Sequence, residues 1–64
     1  MEELTTFTFN DAASGDEACV VIRYGDGSVA LAVSLSSNGD VEVVMPKQEL
    51  SKLIDALTDA KGRI

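Results

Sequence analysis

The sequence predicts an α+β domain: a four-stranded antiparallel β-meander followed by one C-terminal α-helix packed on one face, in the order ββββα. Three observations carry this expectation. Composition changes once, near Pro46. Before it, β-branched and aromatic residues form short runs broken by Gly, Asn, Asp and Ser; after it come Lys, Gln, Glu, Leu and Ala, which favour helix. The turn signals Asp26-Gly27 and Asn38-Gly39 separate runs of alternating apolar residues. Beyond Lys47, the residues Leu50, Leu53, Ile54 and Leu57 recur at helical spacing, and Ala60 continues the stripe.

The strands are expected at 5–9, 18–24, 28–36 and 40–45, with a longer polar loop around Ser14-Gly15 joining the first two. A two-residue type I′ turn at Asp26-Gly27 pairs Tyr24 with Val29, Ile22 with Leu31 and Val20 with Val33, which makes one sheet face uniformly apolar. At the next turn, a three-residue loop Ser37-Asn38-Gly39 with Gly39 left-handed sets Leu35 against Val41, Val33 against Val43 and Leu31 against Met45. A two-residue Asn-Gly turn would instead place Leu35 opposite Glu42 and send a strand's apolar set to water. Phe7 and Phe9 extend the apolar face, so Phe7, Phe9 and Tyr24 are expected in the core. Pro46 suits the first helical turn, where its missing N–H costs nothing, and Gly62 suits the position just past the helix end. Lys61 and Arg63 sit where the helix dipole favours cations. A helix over 47–61 is about 20 Å long, enough to lie along one sheet face.

Sixty-four residues make one small domain, and a chain of this size buries only about 60% of the surface its unfolded form exposes. Such cores are usually supplemented by disulfides, metals or oligomerisation. Cys19 is the only cysteine and there is no histidine, which removes an intrachain disulfide and the Cys/His zinc sites. Oligomerisation remains. The lone thiol and an N-terminus without a basic and apolar leader point to the cytoplasm, and no apolar run approaches a membrane span.

Catalytic inventory is short. Without histidine there is no side chain poised near neutral pH and no Ser/His or Cys/His arrangement. Gly25-Asp26-Gly27 is a lone Gly-x-Gly that reads as hairpin chemistry, and Cys19 lies among Val and Ile as a small apolar residue. No enzyme activity, cofactor or metal is expected. Charge is more informative, because residues 1–45 carry eight acids against Arg23 alone, whereas residues 46–64 carry four basic and three acidic side chains. In a meander, the first loop and the third turn emerge at one end of the sheet. That places Asp11, Asp16, Glu17 and Asp40 together, with Glu42 nearby.

This cluster has three readings: a solvated rim that keeps the protein soluble, a binding surface for a basic protein partner, or a divalent-metal site whose spacing matches no EF-hand loop. Direct nucleic-acid binding is disfavoured for lack of clustered Lys and Arg and of an aromatic platform. The opposite sheet face carries Cys19, Val21, Ala30, Ala32 and Val44, small enough for a second layer to approach, so a homodimer through that face is also expected. The favoured function is a small acidic, non-catalytic interaction module, an inhibitor of a nucleic-acid-handling protein such as phages and mobile elements encode. That comparison is one of size and charge, with no motif behind it. The alternative is a structural or regulatory homodimer acting through its exposed sheet face.

Overall fold

The computed structural model describes every residue from Met1 to Ile64. Four strands, β1 (Glu2–Asn10), β2 (Glu17–Gly25), β3 (Ser28–Leu35) and β4 (Gly39–Pro46), precede one helix, α1 (Lys47–Gly62). The strands form a single antiparallel sheet in the order β1-β2-β3-β4, as expected.

Local chemistry sets the turns. Asp26 and Gly27 both take positive φ, 52° and 73°, as a type I′ turn requires. The pairs Tyr24–Val29, Ile22–Leu31 and Val20–Val33 follow in the expected register. At the β3–β4 turn the register differs from expectation by two residues: Leu35 pairs with Gly39, Val33 with Val41 and Leu31 with Val43. The turn closes one residue earlier, with Asn38 N–H donating to the Leu35 carbonyl at 3.0 Å; Ser36 N–H donates to Glu17 at 3.0 Å and continues the β2–β3 ladder. A shift of two preserves the side-chain alternation, so the same residues stay on the same face. Gly39 is left-handed, at φ 81°.

Register gives each face its composition. One face carries the rows Phe9-Ala18-Leu35, Phe7-Val20-Val33-Val41, Thr5-Ile22-Leu31-Val43 and Tyr24-Val29-Met45. The other carries Thr8-Cys19-Ser34-Asp40, Thr6-Val21-Ala32-Glu42 and Glu3-Arg23-Ala30-Val44. A bulge between Glu3 and Thr5 leaves Leu4 outside the ladder and exposed, which blunts the outer edge of β1.

The helix covers less of the apolar face than its length permits. It approaches only β3 and β4, Leu50 and Leu53 are half-buried, and every other helical residue is exposed. The cause lies in the connection. β4 ends at Pro46 and α1 begins at Lys47, so no loop residue is available to turn the chain, and Pro46 itself is extended at φ −68°, ψ 162°. Connections between strands and helices usually take several residues. The helix also runs through Gly62 and is capped at Arg63, one residue later than the glycine signal indicates.

The core is correspondingly thin. Only Ala18 and Ala30 are buried, and Phe7, Phe9 and Tyr24, expected inside, are exposed. The accessible surface of 4944 Å² compares with about 3,900 Å² for a compact monomer of this mass. The radius of gyration of 12.9 Å compares with about 11 Å.

Two glycine substitutions test the backbone account. Gly27→Ala places a Cβ at φ 73° and is expected to lower unfolding free energy by roughly 1–2 kcal/mol. Gly62→Ala, in the helix with open space around it, is expected to raise it by up to about 0.5 kcal/mol. Denaturant unfolding of both variants measures the contrast, and a stabilising Gly27→Ala would contradict the turn assignment.

Candidate functional site

The loop between β1 and β2 builds the acidic end. Asp11 closes it from both sides: its N–H donates to the Asp16 carbonyl and its own carbonyl accepts from Gly15 N–H, each at 2.8 Å. Its carboxylate Oδ2 accepts from the amide and the hydroxyl of Ser14, again at 2.8 Å each. These bonds form because a short acidic side chain at the start of a turn competes well for nearby donors. The Ser14 amide, then its hydroxyl, hold the Asp11 carboxyl below the usual aspartate pKa, against a small opposing effect of desolvation.

The third turn is tied to this loop. Ser37 donates its hydroxyl to Asp16 Oδ2 at 2.6 Å. Glu17 and Asp40 border one shallow depression, and Asp11, Asn38 and Asp40 rim a second one floored by Phe9, Val20, Val33 and Val41. The structure therefore brings Asp11, Asp16, Glu17 and Asp40 to one end of the sheet. It does not bring Glu42 there. Glu42 pairs with Arg23 across the intervening β3, where Ala30 and Ala32 are their ladder partners.

None of the acidic-end carboxylates forms an ion pair. The other two ion pairs lie on the helix and its C-cap: Lys52–Glu49 and Arg63–Asp59. The carboxylates do not converge either, and no three His, Cys, Asp or Glu side chains are grouped closely enough to hold a metal ion. What the arrangement offers is a fixed negative potential, with two of its four charges held by hydroxyl donors.

The five residues of the small-residue face are spread over adjacent rows of one face. Cys19, Val21 and Ala32 are half-buried and Val44 is exposed, while Ala30, at 2% exposure, is closed off. The Arg23–Glu42 pair lies across this face. Sequence reasoning missed the larger surface opposite. Phe7 and Phe9, stacked with ring centroids 6.1 Å apart, are 49% and 47% exposed, and Val41 is 57% exposed. The available signal was a mismatch of size: four strands supply many apolar side chains to one face, and the helix supplies a single stripe.

No helix is long and apolar enough to cross a membrane. Comparison with family models, with curated proteins and with solved structures returned no match.

The Asp11 cap has a pH signature. Because its folded pKa is depressed, the stabilisation it gives is fully present above the unfolded value of about 3.9 and is lost as pH falls through the folded pKa. An NMR titration of the Asp11 carboxyl is expected to show a lower midpoint in the native chain than in the urea-unfolded chain. Equal midpoints would show that Ser14 does not hold the carboxylate.

Proposed function

We propose that this chain is a non-catalytic protein-interaction module that presents the carboxylates at the loop end of its sheet to a protein with a basic surface. The observation that supports the reading is the grouping of Asp11, Asp16, Glu17 and Asp40 at one end while every ion pair forms elsewhere. Unneutralised charges held in place steer association and select a complementary partner. A nucleic-acid-handling protein has the required chemistry, since its basic surface is built for phosphates. Occupying that surface would inhibit it. A second reading, a structural or regulatory homodimer acting through an exposed sheet face, is supported by the uncovered apolar rows. The two are compatible, because the carboxylates lie at the end of the sheet and the apolar rows on its face.

Pull-down from a host extract, with the wild-type chain beside a variant combining Asp11→Asn, Asp16→Asn, Glu17→Gln and Asp40→Asn, tests the first reading. The variant is expected to keep the native circular dichroism spectrum and to lose a basic partner that the wild type retains at low salt. Raising salt to about 0.5 M should release that partner, because screening shortens the reach of the charges. Equal retention by the variant would contradict the reading.

A further inference from the structure

We infer that the uncovered apolar face is the seat of a second copy of this chain, with Val33 near the middle of the contact and Ile54 and Leu57 of the helix contributing to it. The assignment rests on the homodimer reading above and adds the face and the side chains; it is independent of the acidic-end reading.

Area is the first argument. The chain exposes about 1,000 Å² more than a compact monomer of its mass, and a standard interface buries about 800 Å² per partner. The surplus is therefore what one interface of ordinary size removes.

Self-complementarity is the second. Two apolar surfaces on this chain lack cover: the rows containing Phe7, Phe9, Val33 and Val41, and the helical stripe at Ile54 and Leu57, of which Leu57 is 60% exposed. A two-fold axis supplies both surfaces twice, in equal number, and lets each copy cover what the other leaves open. An unrelated partner would have to match both.

Charge fixes the sense of the packing and argues for this face over the other. Each copy carries a net −6 and its carboxylates gather at one end, so an arrangement that sets the two acidic ends apart is favoured. On the opposite face, an incoming copy would meet the Arg23–Glu42 pair and have to desolvate it.

Sedimentation equilibrium of the full chain over a range of concentrations decides the matter. The wild type is expected to dimerise with a dissociation constant of about 10 µM or tighter. Leu57→Lys, at an exposed position that the monomer does not need, should weaken the dimer by about tenfold or more, since symmetry places the change in the interface twice. Val33→Lys on the central strand β3 should do the same, which a dimer joined through the edge of β4 would not show. Ala32→Arg on the opposite face should leave the constant unchanged. Salt should tighten the dimer by screening like charges, the reverse of its effect on a basic partner. A wild-type chain that stays monomeric up to about 1 mM would overturn the homodimer reading and this assignment together. A dimer that survives Leu57→Lys and Val33→Lys, or dissociates with Ala32→Arg, would overturn the assignment of face alone.

Discussion

Pro46 joins the last residue of β4 to the first turn of α1 with no residue between them, and much of the molecule's character follows from that junction. Proline holds φ near −65°, and an extended ψ of 162° carries the chain into the helix without a loop that could fold it squarely over the sheet. Leu50 and Leu53 are half-buried, and the stripe beyond them is exposed. A single sheet has two faces, and one helix at one corner leaves most of the apolar face in contact with water.

That constraint separates the molecule into parts with different physical roles. The β2–β3 hairpin, pinned by the Asp26-Gly27 turn, sets the register at the centre of the sheet. On the face with Ala30 and Ala32, Ala30 is closed off and Arg23 pairs with Glu42. The apolar face is unfinished, and at one end of the sheet Asp11 and Asp16 are held by Ser14 and Ser37. Hydrophobic area drives association without much direction, whereas the carboxylates give orientation and partner choice. Both can operate at once, because they occupy the face and the end of the same sheet.

Strand existence, the order ββββα and the Asp26-Gly27 register were legible in the sequence because each depends on local chemistry: alternation, turn residues with positive φ and the break at Pro46. The acidic end was legible too, since a meander must bring its first loop and third turn to the same side. The β3–β4 register was off by two residues because closures that differ by two keep the same residues on the same face, so the apolar alternation does not choose between them. The exposure of Phe7, Phe9 and Tyr24 was missed for a related reason. Helical length showed that cover was possible, but the angle at which a helix leaves a strand is set by the connection, and in the sequence Pro46 signals only where the helix starts. Gly62 misled similarly: nothing surrounds it, so continuing the helix through it meets no steric obstacle.

If the apolar face is completed by a second copy, folding and association are linked, and stability must depend on how much chain is present. Thermal unfolding followed by circular dichroism at chain concentrations spanning about three decades measures this directly. The midpoint is expected to climb steadily with concentration, as it does for any protein whose folded form is a dimer and whose unfolded form is not. A midpoint that stays constant across the whole range would contradict the account, and would show that two buried alanines and a half-covered sheet suffice to hold the chain folded alone.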